Sequence, residues 1–217
     1  MYKTVIMASG SFPGWTSETS RHMAEVKGIN LLNRNVHQLK FVRLSELINK
    51  APRQREKLLY RTIRQLKERG VTDITVTVPF ENAFGDIPAK QIVGNNGFGI
   101  HNILNTEQVI KDKGLIIFGD TVFTDNAMDI IVKSNEDMMF FGNSIGEMFA
   151  IRTSELLYEK ANELQKQLEN SDTTDQWKLY RYINGQPIDI HKMGGYFTYI
   201  DDGTDDIDYP KDCKKFK

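Results

Sequence analysis

Between residues 58 and 79 the apolar period of the chain changes once, from that of a helix to that of a strand, and this change limits the fold more than any other feature. Leu58, Leu59, Ile63 and Leu66 recur at the spacing of one helix face, Gly70 stands where a helix stops, and residues 71–79 (VTDITVTVP) alternate as a strand does. The same alternation of element types runs along the rest of the chain. Residues 3–8 read as a buried first strand that runs into a loop rich in Gly, Ser, Thr and Pro (residues 9–20), and Leu115 to Phe118 is a second short apolar run. Thr124 is placed to cap a helix carrying Ala127, Met128, Ile130 and Ile131, with Asp125 in its first turn. Residues 106–113 read as helical, and residues 138–141 and 148–151 as strands around a turn at Gly142 to Gly146. Ser154 opens a long helix to about Leu168 with Leu156, Leu157, Ala161 and Leu164 on one face, residues 170–175 are a polar turn, and residues 196–200 (YFTYI) form a last strand. Strands alternating with helices predict one α/β domain over residues 1–217 with a largely parallel central sheet.

Charge and cysteine content narrow the partners. Hydrophobic residues make up 40% of the chain and charged residues 26%, enough to build a core, and a net charge of −1 carries no nucleic-acid footprint. The basic run of residues 50–57 (KAPRQREK) reads as a solvated loop and helix start. The single cysteine, Cys213, excludes an intramolecular disulfide or a cysteine-based zinc cluster, which fits a reducing compartment. No leader-like segment and no stretch of about 20 apolar residues is present, so a soluble cytoplasmic protein without membrane or nucleic-acid partners is expected. One internal echo, LLNRNV at residues 31–36 and LLYRTI at 58–63, occurs only twice and is explained by two amphipathic helices of like composition.

Acids follow two separate apolar segments. The strand-like run at 114–118 delivers Gly119 and Asp120, and the tail holds Asp205, Asp206, Asp208 and Asp212 around Ile207, Tyr209 and Pro210. In an open α/β sheet ligands bind beyond the carboxyl ends of the strands, and a carboxylate half-buried there requires a cation or a donor. Taken alone, Asp120 reads equally as a helix cap or a surface acid, and Asp206 and Asp208 equally as caps on a C-terminal helix begun by Pro210.

Three blocks, in order, resemble the nucleotidyltransferases that join a nucleoside monophosphate to a phosphorylated small molecule, a group that includes the sugar-1-phosphate, phosphocholine and molybdopterin enzymes. The first is VIMASG at residues 5–10, followed by RHMAEVKG at 21–28 and LLNR at 31–34. The second is Phe118-Gly119-Asp120, and the third is DIDYPKD at 206–212, similar to the closing D-x-D-T-P-E-D signature. The pattern is departed from at two places: Phe12 and Pro13 follow Gly10 where the loop normally carries a second glycine, and Arg21 stands where the family has lysine. The second copy of the echoed helix continues the family pattern better than the first, so residues 35–54 read as a possible insertion.

The resemblance implies a three-layer α/β/α nucleotide-diphospho-sugar transferase fold and transfer of a nucleoside monophosphate from a nucleoside triphosphate to a sugar-1-phosphate or alcohol phosphate, releasing pyrophosphate. It implies Mg²⁺ held by Asp120 and Asp208, with Asp206 as a further ligand, and Arg21 acting with the loop amides near Ser9, Gly10 and Ser11 on the phosphates. Ala8, Ser9, Gly10, Ser11 and Asn102 then line the nucleotide site, and Glu147 meets the acceptor; a basic neighbour is the other account of Glu147. His22 is given a structural place, His191 none, and Tyr196, Phe197 and Tyr199 are expected in the core rather than as a base-stacking platform. A glycosyltransferase consuming a nucleotide sugar and a catalytically silent nucleotide- or sugar-binding protein use the same strand-end acid.

Overall fold

A computed structural model describes residues 2–8, 25–27, 55–94, 99–168, 175–190 and 192–216. Seven strands form the central sheet: β1 (Lys3–Met7), β4 (Ile74–Val78), β5 (Lys90–Val93), β6 (Gly114–Phe118), β8 (Met139–Gly142), β9 (Met148–Thr153) and β10 (Phe197–Tyr199). Their order is β10-β8-β9-β6-β1-β4-β5. Four of the six pairings are parallel, and β9 alone runs against the rest, because the Gly142 to Glu147 turn returns β9 beside β8 while β9 also pairs antiparallel with β6. Two short antiparallel ribbons complete the strands: β2 (Glu25–Lys27) with β3 (Arg55–Lys57), and β7 (Thr121–Val122) with β11 (Asp205–Asp206).

Successive side chains of a strand point to opposite faces, and the central strands feed two cores. Ile6, Leu115 and Ile117 meet helix α1 (Leu58–Glu68) through Leu59, Ile63 and Leu66, and helix α3 (Asp125–Lys133) through Ala127, Met128 and Ile131. Val5, Ile116 and Phe118 face the other side, where α2 (Ile100–Thr106), α4 (Glu155–Leu168) and α5 (Gln176–Ile183) contribute Ile100, Ile103, Leu157, Ala161, Leu164, Leu179 and Tyr180. The result is the three-layer α/β/α arrangement. β4 and β6 are buried along their whole length, which is why they read as continuous apolar or Thr/Val runs.

Local signals placed most element ends. Gly70, at φ 82°, closes α1 with its N–H on the Lys67 carbonyl at 3.0 Å, and Thr124 caps α3 by accepting from the Ala127 N–H at 2.9 Å. The helix expected at residues 106–113 is a correction: it lies earlier, at Ile100–Thr106, and residues 107–113 are turns leading into β6. Ile100, Ile103 and Leu104 supply the i, i+3, i+4 stripe that a helix must bury, whereas Ile110 is a lone buried residue before exposed Lys111, Asp112 and Lys113. Strand β5 and helix α5 had no counterpart in the sequence reading. The supposed insertion at residues 35–54 and the first copy of the echoed helix lie outside the described residues.

Candidate functional site

The parallel strands β1 and β6 end side by side. Gly119 N–H donates to the Met7 carbonyl at 2.9 Å, and Ala8, next after β1, is fully buried with its N–H on Thr77 Oγ1 of β4 at 3.0 Å. Asp120 therefore leaves the end of β6 beside the point where the β1 loop begins. A pocket of about 80 Å³ opens there, lined by Met7, Phe118, Gly99, Asn102, Asp120 and Gln176. Asn102 and Asp120, which the sequence pointed to from separate segments, thus share one pocket. A cavity of about 520 Å³ lined by Tyr2, Lys113 and Arg152 among others lies at the opposite end of these strands, away from the acids.

The C-terminal acids reach the same end of the sheet through the ribbon of β7 and β11. Asp206 pairs in register with Thr121, and the Ile207 N–H donates to the Asp120 carbonyl at 2.9 Å. Asp202 holds the approach to this ribbon: its carboxylate accepts from Thr124 Oγ1 at 2.6 Å and from the Thr204 N–H at 2.8 Å. Ile207 is fully buried among Leu58, Val122 and Cys213, so the two acids flanking it keep their places.

Glu147 is aimed by a tight turn between β8 and β9. Asn143 Oδ1 accepts from the Ile145 N–H at 3.2 Å and the Glu147 N–H at 2.9 Å, and the Asn143 N–H donates to the Glu147 carbonyl at 3.0 Å. Gly142 is required: a Cβ there would stand 2.0 Å from the Glu147 carbonyl oxygen. The Ser144 N–H on Asp201 Oδ1 at 2.7 Å and the Ile200 N–H on the Gly142 carbonyl at 2.7 Å tie this turn to the end of β10.

Four carboxylates consequently share one neighbourhood. Burial pushes the Asp206 carboxyl up to about 8, with the charges of Glu147, Asp208 and Asp120 adding to the effect and a hydrogen bond to Glu147 holding its proton. Burial likewise raises Glu147, whose hydrogen bond with Asp206 works the other way while Asp208, Asp205 and Asp120 repel its charge. Lys215 pairs with Asp205 at 2.8 Å on the exposed side of the group. The side chain that caps α3 is that of Thr124, and in the C-terminal turn Asp212 accepts from the Tyr209 N–H at 2.8 Å. Among the described residues Asp206, a second acid, hydrogen-bonds Glu147.

Ser9, Gly10, Ser11, Arg21, His22 and His191 lie outside the described residues. Phe197 joins the core on α5, whereas Tyr196 and Tyr199 are nearly half exposed, a correction to their expected core positions. Gln176 was missed; the helix that carries it begins just after the polar turn expected at residues 170–175 and had no counterpart in the sequence reading. Its signals were Asp175, which caps α5 at 2.9 Å through the Trp177 N–H, and the apolar spacing of Leu179, Tyr180 and Ile183. Among the described residues, no helix is long and apolar enough to cross a membrane.

Three solved proteins align with most or all of this chain. HddC from Yersinia pseudotuberculosis covers 100% of both chains at 17% identity and a TM-score of 0.51, and its complex with GMP-PN aligns at 16% identity and the same TM-score over 100% of this chain and 98% of that one. A putative glucose-1-phosphate thymidylyltransferase from Bacillus anthracis, in complex with a sucrose, matches at a TM-score of 0.58 and 14% identity over 99% of this chain and 93% of that one. Bifunctional IspDF from Campylobacter jejuni matches at 0.58 and 13% identity over 100% of this chain and 54% of its own. No protein-family model matches the sequence. No curated protein matches it. The likeness establishes the nucleotide-diphospho-sugar transferase fold that the three sequence blocks implied.

Proposed function

We propose that this protein is a nucleotidyltransferase that moves a nucleoside monophosphate from a nucleoside triphosphate to a phosphorylated small molecule, a sugar-1-phosphate or an alcohol phosphate. The observation that carries the reading is the meeting of Asp120, Glu147, Asp206 and Asp208, from three separate parts of the chain, beside the pocket that Asn102 lines. Crowded, partly buried carboxylates are a hard-oxygen donor set, and a divalent cation would offset both the burial that chiefly raises Asp206 and the repulsion from Glu147, Asp208 and Asp120 that adds to it, so the residues fit Mg²⁺. Two of Asp120, Asp208 and Asp206 would hold it. Among the described residues no three Asp, Glu, His or Cys side chains are placed to hold one ion together, so two carboxylates would bind it and water and phosphate oxygens would complete the coordination. When bound, the ion supplies charge neutralisation to the triphosphate.

The chain's own residues divide the remaining work. An ionised phosphate oxygen of the acceptor attacks the α-phosphorus, the bond to the β-phosphate oxygen breaks, and pyrophosphate departs with the electron pair. No general base is needed. Asn102 stands on the nucleotide side of Asp120, and Glu147, with Asp206 beside it, accepts from an acceptor hydroxyl. Arg21 and the amides of Ser9, Gly10 and Ser11 follow Ala8 in sequence from the end of β1, and the role proposed for them is to stabilise the charge of the pentavalent centre.

Incubation with each of the four nucleoside triphosphates, Mg²⁺ and a panel of sugar and alcohol phosphates is expected to release pyrophosphate for one combination. Release of a nucleoside diphosphate from a nucleotide sugar instead identifies a glycosyltransferase. Thermal stabilisation by a triphosphate with no phosphate released from any mixture identifies a silent binding protein.

The acidic cluster also fixes a pH dependence. The folded protein holds a proton on Asp206 up to about pH 8, whereas an unfolded aspartate releases it near its ordinary value of 3.8. The folded state therefore binds the extra proton between these values, so without Mg²⁺ this group's contribution to stability is full at low pH and is lost as pH rises through about 8. A bound cation needs the ionised carboxylate, so the rise in Tm on adding Mg²⁺ is expected to be larger at pH 8.5 than at pH 6. An equal rise at both pH values would remove Asp206 from the cation site.

A further inference from the structure

One wall of the pocket beside Asp120 has no part in the chemistry so far. It is Gln176, the first residue of α5. Gln176, Leu179, Tyr180 and Ile183 stand at i, i+3, i+4 and i+7, on one helix face. Leu179 and Tyr180 are fully buried and Ile183 packs against the same core, so Gln176 is the polar end of an apolar stripe, at the point where that stripe reaches the pocket. Packing alone would be served by Leu or Met there. Among the described residues its carboxamide makes no hydrogen bond.

The backbone beneath Gln176 is held in place. Asp175 caps the helix, the Trp177 ring stacks on Phe197 with centroids 5.7 Å apart, and the Tyr180 hydroxyl bonds to Gly194. A side chain on a rigid element, aimed into a binding pocket, suits recognition. The chemistry of the lining narrows what is recognised. Asp120 contributes a carboxylate and Asn102 a second carboxamide, and the described lining contains no Lys or Arg. Such a set offers no cationic side chain of its own and suits a neutral group that both donates and accepts, because a carboxamide offers two donors and one acceptor while a carboxylate only accepts. A space of about 80 Å³ admits the hydroxyl-bearing edge of a ring.

We propose that Gln176 is a specificity residue that hydrogen-bonds a hydroxyl of a sugar ring. The inference rests on the nucleotidyltransferase reading, and the ring is either the ribose of the nucleotide or that of a sugar acceptor. Both sources are resolved by the full chain and its Gln176→Leu variant, which keeps the volume and removes the carboxamide. Each is titrated, with Mg²⁺, with the four ribonucleoside triphosphates and with their 2′-deoxy and 3′-deoxy counterparts, and each is assayed for the KM of the accepted sugar phosphate. If the ribose is read, the wild-type protein binds one ribonucleotide about tenfold more tightly than a deoxy counterpart, and the variant loses that difference. If the acceptor is read, the deoxy ratio is the same in both proteins while the variant's KM for the sugar phosphate rises about tenfold at a kcat within about twofold. Should Gln176→Leu lower Tm, Gln176→Asn, one methylene shorter, is expected to fold and to weaken the same discrimination. A wild-type protein that binds and turns over nucleotide, with variants matching it in both arms, overturns the inference and leaves the function standing. A wild-type protein that no triphosphate stabilises overturns both, and is visible before any variant is made.

Discussion

Asp120→Asn is expected to reduce pyrophosphate release by about a thousandfold or more, the scale on which losing one preorganised electrostatic group at a phosphoryl centre is felt. Asparagine has nearly the same shape, so the substitution removes a charge and little else. The backbone bond that seats the C-terminal ribbon, from the Ile207 N–H to the residue 120 carbonyl, does not involve the side chain and should survive. The effect on the fold should be small and of the opposite sign to the effect on activity, because Asp120 is one of the charges that oppose ionisation of Asp206 and Glu147. Pyrophosphate release and thermal melting measured on the same preparation separate the two. Full activity would take Asp120 out of the site. Lost activity together with a large fall in Tm would show a residue that supports structure instead.

The largest stability change is expected from Tyr180→Ala, about 3–5 kcal/mol in denaturant unfolding, the usual cost of truncating a fully buried aromatic. Tyr180 is wholly buried, and its ring meets Phe140 at 5.2 Å, Phe197 at 5.5 Å and Trp177 at 5.7 Å between centroids, all edge-on. Its hydroxyl donates to the Gly194 carbonyl and accepts from the Gly194 N–H at 2.7 Å. Tyr180→Phe isolates that second part and should cost about 1–2 kcal/mol, because it leaves backbone groups of Gly194 without this partner. A loss below about 1 kcal/mol for the alanine variant would mean that α5 contributes little to the second core. Since α5 carries Gln176, the alanine variant should also blunt whichever sugar-hydroxyl recognition, ribose or acceptor, Gln176 provides.

Particular residues explain why some of this architecture was legible in the sequence. Strands β1, β4 and β6 lie inside the sheet with both faces covered, so burial writes them as short runs of apolar or β-branched residues. Helices α1 and α3 show one buried stripe and ordinary end signals, Gly70 and Thr124. Edge strand β5 is another matter: KQIV has two exposed ends and two half-buried residues, so burial leaves no pattern to read. Helix α5 was hidden because only eight residues separate its start from its end and two of its stripe positions are a glutamine and a tyrosine. Helix α2 was misplaced because Ile103 and Leu104 sit in a short segment beginning at a glycine with φ 50°, not in the longer polar run that follows.

The acids divide in the same way. Asp120 after a buried strand, and Asp206 and Asp208 in a D-x-D pattern, were visible as residue types at suggestive places. That Glu147 and Asp206 hydrogen-bond each other, and that Asn102, Asp120 and Gln176 line one pocket, was not visible in any local window. By itself the sequence determined the alternation of strands and helices and the buried stripes of β1, β4, β6, α1 and α3, because hydrophobic period and chain-local capping are properties of neighbours along the chain. Only the tertiary structure decided which carboxylates would crowd together, because that depends on the reversed strand β9, the turn at Gly142 and the ribbon at Thr121, which bring charges close without regard to their separation in sequence.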